Sequence, residues 1–164
     1  FENYRSYQSM KQKAADLFVF QIHTGFDFGD FGEISRGCQF IYKGRKFLIK
    51  QRHKGRKKES AQQVIPMNPV IERILEKYNF NLDILNNSAY NEHIKIVAKE
   101  LGIDIYLCCK DGRKIFFMNK LNNEGFTLEA ASKMGGHKRV RTTEDYYAKV
   151  NINLINNEMD RLGL

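Results

Sequence analysis

Residues 135–150 have the sequence GGHKRVRTTEDYYAKV. Its two glycines predict a turn that presents His137. The threonines and acids that follow suit the free N–H groups of a helix start, so we predict a helix over 142–150. Tyr146 follows the histidine by nine residues, and Tyr147 stands beside it. The first candidate reactive groups are therefore a turn histidine and two helical tyrosines.

Positive charge is concentrated in one segment upstream. The 164 residues include 27 Lys and Arg against 19 Asp and Glu, a net charge of +8. Nine of these cations and no acid lie in residues 43–58, and removing nine from 27 leaves 18 cations against the 19 acids. The segment also contains Phe47, Leu48 and Ile49, as a strand does and a solvated tail does not. Such local charge is typical of a surface that meets a polyanion.

The hydrophobic pattern predicts a mainly helical α+β domain with a small three-stranded antiparallel sheet. Short β-branched and aromatic runs surround Lys43-Gly44-Arg45, which indicates a hairpin, and a period of about 3.6 residues dominates after residue 68. Ile115, Phe116 and Met118 are expected to face the core. The predicted elements are helix 7–23, strands 39–42, 46–52 and 63–65, helical segments between 68 and 101 interrupted by a connection at 79–90, and helices 112–122, 127–134, 142–150 and 154–162.

Composition and spacing exclude several classes of protein. A hydrophobic content of 42% supplies a core, but no apolar run approaches the ~20 residues of a membrane span. The cysteines Cys38, Cys108 and Cys109 form a poor disulfide framework, which favours a reducing compartment. The histidines are scattered, and no HExxH, paired CxxC or Walker sequence occurs. We therefore expect no metal and no cofactor.

Three further blocks accompany residues 135–150. Residues 110–114 are KDGRK, residues 18–30 are FVFQIHTGFDFGD, and residues 49–66 contain most of the basic segment. In their order and spacing along the chain, the four blocks resemble the motifs of the tyrosine recombinases, the phage-integrase family. They are most similar to the integrases of bacterial mobile elements and transposons. The resemblance implies that residues 1–164 are a single catalytic domain without the family's N-terminal core-binding domain.

The resemblance implies an enzyme that breaks and rejoins double-stranded DNA. In this family a tyrosine hydroxyl attacks the scissile phosphate, which forms a 3′-phosphotyrosine and frees a 5′-hydroxyl without metal or nucleotide. Site-specific recombination or integration of mobile DNA is the implied function. The implied assembly is a homotetrameric synapse on DNA held through residues 154–162, with a monomer as the alternative. The implied location is the nucleoid-associated cytoplasm, away from membranes.

The same resemblance assigns catalytic roles. Arg113 and His137 bind the phosphate, and the alternatives are a surface salt bridge and a structural turn histidine. Tyr146 is the nucleophile, and Tyr147 is its rival. The remaining assignments are Lys110 where the family usually has histidine, Lys54 as the hairpin lysine with Lys57 and Lys58 as competitors, and DNA contacts from Lys50, Arg52, Arg56, Lys57, Lys58, Lys138, Arg139 and Arg141.

Besides Lys110, two positions depart from the family pattern. Asp27 stands where the first arginine is expected, and a carboxylate there repels a phosphate. Arg36 or Arg52 is a candidate replacement, and Asp30 matches a supporting acid that orients a neighbouring His or Lys. Gly135 replaces a leucine, which predicts loose packing. Two alternatives therefore stay open: a degenerate relative that binds DNA without cutting it, and a type IB topoisomerase-like enzyme suggested by Lys110.

Overall fold

Helix α1 (Ser9–Thr24) lies at the centre of the fold. The computed structural model describes residues 1–5, 9–52, 61–83, 85–137, 139–147, 156 and 159–163. Between Ala14 and Phe20 only Asp16 is not buried, so α1 is apolar around most of its circumference and packs against three other helices. Phe18 and Phe20 are almost completely buried within this core.

The further helices of the described chain are α2 (Pro69–Lys77), α3 (Asn87–Glu100), α4 (Cys109–Met118), α5 (Leu128–Met134) and α6 (Val140–Tyr147). Three of them begin at a side-chain cap. Asn68, Asn86 and Thr127 each accept the N–H three residues on, which satisfies a donor that the helix leaves free. Helix α4 continues into a π-helical turn, Asn119–Asn123.

A three-stranded antiparallel sheet lies beside these helices, with strands β1 (Gln39–Tyr42), β2 (Arg45–Arg52) and β3 (Ala61–Pro66) in that order. Lys43 and Gly44 both have positive φ angles, 48° and 75°, as a two-residue hairpin turn requires. In the pairing of β2 with β3, Leu48 lies opposite Ile65, and both are completely buried. Strand β3 also packs against α5, which brings the sheet to the end of that helix.

The predicted architecture is confirmed, and the differences lie at helix ends and faces. Helix α4 begins three residues before the predicted start because Asp111 accepts the N–H of Cys108. Helix α6 begins two residues early, and its predicted end at 150 lies outside the described residues. The predicted connection 79–90 is wrong at its end, where Asn86 caps α3. Met118 is 51% exposed, whereas Phe117 is completely buried, so the predicted inner face of α4 is also wrong there.

No helix among the described residues is long and apolar enough to cross a membrane.

Candidate active site

Arg113 lies in a crevice that two glycines create. Gly112 lets α4 approach α1 closely, since a Cβ atom there would lie 2.7 Å from Oε1 of Gln21. Gly25 ends α1 with a φ of 65°, and its carbonyl oxygen accepts a hydrogen bond from Nη1 of Arg113. The arginine is only 4% exposed. The alternative of a surface salt bridge is therefore wrong for Arg113.

The guanidinium of Arg113 joins two helix ends. Besides the Gly25 carbonyl at the end of α1, it donates through Nη2 to the Gly135 carbonyl (2.5 Å) at the end of α5. The same Nη2 lies 2.9 Å from Nε2 of His137. Because a guanidinium nitrogen only donates, we assign Nε2 as the acceptor and place the imidazole proton on Nδ1. Nδ1 then donates to Oγ1 of Thr143, 2.7 Å away.

The turn after α5 holds His137 in this position. Gly136 has a φ of 63°, its N–H donates to the Lys133 carbonyl, and the N–H of His137 donates to the Ser132 carbonyl. These two hydrogen bonds form a Schellman motif, in which glycine supplies the left-handed residue. His137 is 8% exposed. The sequence prediction that the glycine pair presents the histidine is thus explained by a defined helix cap.

Phe117 forms the floor of the crevice. Its ring stacks on His137 with centroids 5.0 Å apart, and the Arg113 guanidinium carbon lies 5.2 Å from the ring centroid. A Cβ atom on Gly135 would lie 2.1 Å from Cζ of Phe117. The expectation of loose packing at Gly135 is therefore wrong, because the phenylalanine ring fills the space beside it. The sequence analysis missed this residue, although a glycine in place of leucine is a signal that some neighbour is larger.

Carboxylates form the opposite rim of the crevice. Oδ1 of Asp27 lies 4.0 Å from Nε of Arg113, and the Asp27 side chain is 37% exposed. Its backbone N–H donates to Oδ2 of Asp30 (3.3 Å), which belongs to the 3-10 turn Phe28–Glu33. At the position where the resemblance implies the family's first arginine, this chain thus has the negatively charged Asp27, which lies next to Arg113, the match to the family's second arginine.

Lys50 on β2 has a different environment from the predicted one. Its ammonium group lies 2.8 Å from Asp30 and 3.2 Å from Glu33, and it donates to the carbonyl of Gln51 at 3.0 Å. Lys50 is 4% exposed. The prediction of a DNA-contacting Lys50 is contradicted in this structure, because the charge is buried and paired. Asp30 contacts Lys50, and its role as a supporting acid stays a prediction.

No protein-family model matches the chain, and no curated protein matches its sequence. Solved structures match its fold. The Tn1549 transposon integrase in complex with transposon right end DNA has a TM-score of 0.65 and 14% identity, over 99% of this chain and 62% of that one. The XerA recombinase has a TM-score of 0.63 and 17% identity, over 96% of this chain and 64% of that one. The XerH site-specific recombinase bound to palindromic difH substrate, a post-cleavage complex, has a TM-score of 0.67 and 11% identity, over 94% of this chain and 48% of that one.

The chain has a tyrosine recombinase fold. The predicted fold class is thereby confirmed, including the helical catalytic-domain architecture with its small sheet. The chain spans less than two thirds of the length of each of these structures.

Within this tyrosine recombinase fold, α6 places both candidate nucleophiles one helical turn after the Thr143 that contacts His137. Thr143 is completely buried, and it precedes Tyr146 and Tyr147 by three and four residues in the same helix. The side chains of the two tyrosines lie outside the described residues, so the choice between them stays a prediction.

The other predicted site residues are more widely spread. Lys110 and Arg139 are exposed, and Nε of Arg141 lies 3.8 Å from Asp145 on the surface of α6. Arg36 donates to Oδ1 of Asn79 and its guanidinium lies over the Phe80 ring. The predicted residues outside the described part of the chain are Lys54, Arg56, Lys57, Lys58 and Lys138, together with the side chain of Arg52.

The described crevice can bind an anion. It combines a guanidinium and an imidazole that share one hydrogen bond. Both groups are shielded from bulk water, and electrostatic interactions are stronger in such a shielded site than in water. Among the described residues, no group of three or more His, Cys, Asp or Glu side chains is arranged to hold a metal ion.

Proposed function

We propose that this chain is the catalytic domain of a DNA integrase that cuts and rejoins double-stranded DNA through a tyrosine. The observation that carries the proposal is the Arg113–His137 pair, buried at the foot of the helix that bears Tyr146 and Tyr147. The named neighbours of the fold include an integrase in complex with transposon DNA and a recombinase bound to its substrate. Integration or excision of mobile DNA is the corresponding function.

In the proposed reaction, the hydroxyl of Tyr146 attacks the scissile phosphorus. The bond from phosphorus to the 5′ oxygen breaks as the phosphotyrosine bond forms. The phenol releases its proton to solvent, and the leaving oxygen takes a proton from a lysine, for which Lys54 is our first candidate. Arg113 and His137 hold the non-bridging oxygens, where negative charge builds up. Attack by a 5′-hydroxyl on the phosphotyrosine then reverses these bond changes and rejoins a strand. The number of phosphodiester-type bonds is conserved, so no cofactor is required.

In the structure, Arg113 and His137 bond to each other and to protein groups. DNA binding in the proposed mechanism therefore exchanges the Arg113–His137 hydrogen bond for bonds to phosphate oxygens. His137 then donates from Nε2, which requires a second proton on the ring or the other tautomer. Lys110, on the exposed first turn of α4, is proposed as a further phosphate donor three residues before Arg113.

A covalent-trap assay tests the proposal. Nicked duplexes that carry candidate element ends are incubated with the chain, and denaturant-resistant adducts are measured. We expect an adduct that Tyr146→Phe abolishes and Tyr147→Phe retains, with Tyr106→Phe, at a 75% exposed position, as the matched control. Loss with Tyr147→Phe instead assigns the rival nucleophile. An adduct that survives both changes overturns the assignment to α6.

Asp27 favours a second candidate function, DNA binding without cleavage. Its carboxylate lies 4.0 Å from the Arg113 guanidinium, where it competes with a phosphate for the same cation. This function predicts affinity that falls steeply with salt and no adduct on any duplex. It also predicts that Asp27→Arg creates or raises cleavage. If the unaltered chain forms an adduct at Tyr146, the second candidate is rejected.

We also propose that the domain assembles on DNA through its C-terminal segment, in the nucleoid-associated cytoplasm. In the described part of that segment, Met159 is 44% and Leu162 is 59% exposed, which leaves apolar surface for a neighbouring protomer. Light scattering on DNA complexes is expected to give a tetramer that removal of residues 154–164 reduces to smaller species. An unchanged mass after the truncation contradicts this proposal.

A further inference from the structure

Two buried polar residues face each other across strands β2 and β3. The inner face of this strand pair has four buried positions, of which Leu48 and Ile65 are apolar. The other two are Lys50, which is 4% exposed, and Gln63, which is completely buried, and they are direct partners in the register. Apolar side chains at both positions would satisfy the core more cheaply, because buried polar groups lose their hydration. The polar pair therefore needs another explanation.

Lys50 joins β2 to one rim of the Arg113 crevice. Its ammonium group contacts Oδ1 of Asp30 at 2.8 Å, and the other carboxylate oxygen of Asp30 accepts the N–H of Asp27. The Asp27 carboxylate in turn lies 4.0 Å from the guanidinium of Arg113. The strand is thus linked to Arg113 through two ion pairs and the backbone hydrogen bond between Asp27 and Asp30.

Gln63 joins β3 to the other rim. Its Nε2 donates to the carbonyl of Met134 at 3.5 Å. The next carbonyl along the chain, that of Gly135, accepts from Arg113, and His137 follows two residues later. The other amide atom of Gln63, Oε1, is buried and has no hydrogen-bond partner among the described residues. A side chain selected for stability alone would not leave a buried carbonyl oxygen unpaired.

We propose that Lys50 and Gln63 are positioning residues that hold the β2–β3 strand pair against both rims of the Arg113–His137 crevice. Lys50 acts through Asp30 on Asp27, which lies beside Arg113, and Gln63 acts on the turn whose Gly135 carbonyl accepts from Arg113. Fixing the two strands to the rims therefore holds the groups around Arg113 and His137 in place for the phosphate. The inference rests on the proposed function, because it assigns the pair an effect on strand cleavage.

Volume-conserving replacements test the inference. Gln63→Met removes the amide, and Lys50→Met/Asp30→Asn removes the ion pair without leaving an unpaired buried charge. The matched control is Lys120→Met/Glu124→Gln. Lys120 is also a buried lysine, 7% exposed, with its carboxylate partner at 2.6 Å. Its ammonium group lies over the rings of Phe116 and Phe126.

The first measurement is single-turnover adduct formation, with DNA affinity and thermal unfolding measured on the same samples. Misplacement of a reacting group by about 1 Å costs on the order of 100-fold in rate, so we expect each test variant to cleave about 10- to 100-fold more slowly. DNA affinity is expected to stay within about twofold and the control variant to cleave at the unaltered rate, since neither change touches the phosphate ligands. Parent-like cleavage by both test variants overturns the inference.

The second measurement does not need cleavage. Nitrogen chemical shifts of the His137 imidazole and of Nε of Arg113, recorded by NMR on the DNA-free chain, report the geometry of the crevice directly. We expect both test variants to move these signals and the control to leave them in place. If the unaltered chain forms no adduct, the proposed function fails, and the NMR shifts still decide the positioning. Unmoved signals in both test variants refute it.

Discussion

The two rims of the crevice are held by different forces. The helical rim, formed by the α4 residues Arg113 and Phe117 with the turn at Gly135 and His137, depends on aromatic packing and hydrogen bonds to main-chain carbonyls. The opposite rim, formed by the carboxylates of Asp27 and Asp30, is called the strand rim because Lys50 of β2 holds it. It depends on the buried ion pair of Lys50 and Asp30. Packing losses scale with the cavity that they leave, whereas loss of one buried charge leaves its partner unpaired. The two rims are therefore expected to fail in different ways.

The largest expected effect is on the helical rim. Phe117→Ala removes the completely buried ring that stacks on His137 and fills the space beside Gly135. Large-to-small changes of this kind cost about 3–5 kcal/mol in the free energy of unfolding. Gly135→Leu alone is also destabilising, because its Cβ atom would meet the Phe117 ring. Urea unfolding of each variant measures both effects.

The double variant Gly135→Leu/Phe117→Ala provides the control for this explanation. If the ring occupies the room that a leucine takes in the family pattern, the leucine refills the cavity. The double variant is then more stable than the sum of the two single losses predicts. Strict additivity of the two losses contradicts the exchange of one side chain for the other.

The next effect is on the strand rim. Lys50→Met leaves the carboxylate of Asp30 without its lysine partner, and the Asp30 side chain is only 9% exposed. Removal of one partner of a buried ion pair costs about 3 kcal/mol or more in the free energy of unfolding. Lys120→Met is the comparison, because its partner Glu124 is 45% exposed and regains water. We expect about 1 kcal/mol for that change. Chemical unfolding of both variants gives the two values, and equal losses would show that exposure of the carboxylate does not decide them.

The helical rim was more predictable than the strand rim. The glycine pair, His137 and the helix start after it are local signals, since cap and turn chemistry act within a few residues. The partner of Lys50 is a tertiary contact between β2 and the turn after α1, which no local pattern specifies. A basic segment of nine cations predicts exposed charge at every position, so the buried one was assigned to DNA. The period of the sheet places position 50 on the same face as Leu48, and this was the available signal.

The predicted inner face of α4 was wrong at Met118 for a related reason. The prediction began the helix at Gly112, whereas Asp111 caps it at Cys108. With the earlier start, packing against α1 and the turn at Gly135 selects Phe117 rather than Met118 as a buried residue. Helix periodicity identifies a hydrophobic face only when the neighbours on each side are known. The sequence alone left the neighbours of α4 open.

A smaller effect is expected for the hydroxyl that orients His137. Thr143→Val keeps the shape of a completely buried side chain and removes the oxygen that lies 2.7 Å from Nδ1. A buried N–H without an acceptor costs about 1–2 kcal/mol. Thr143→Ser retains the hydroxyl and serves as the control. Unfolding measurements combined with the imidazole NMR shifts separate the lost hydrogen bond from lost packing, and a valine variant as stable as the serine variant would contradict this role.

The smallest effect concerns the charge at the start of α4. Asp111 accepts hydrogen bonds from Lys114 and from the N–H of Cys108. Burial is the largest single influence and raises its pKa, but the hydrogen bonds together outweigh burial, so the pKa of Asp111 is lowered from its ordinary value. A carboxyl group with a lowered folded-state pKa stabilises the fold at pH values above its unfolded pKa. This stabilisation is lost as the pH falls through the folded pKa.

Asp111→Asn is therefore expected to cost about 0.5–1 kcal/mol near neutral pH, a typical value for a helix cap that loses its charge. The difference from the unaltered chain is expected to shrink as the pH falls below about 4 and through the lowered folded-state pKa of Asp111, because the unaltered chain then loses its carboxylate. Thermal unfolding across this range measures the difference. Because Arg113 lies one turn away from the cap, cleavage at neutral pH should change little if the contacts of the guanidinium hold it in place. A large loss of cleavage with a small loss of stability would instead show that the start of α4, and not the packing beneath it, positions the arginine.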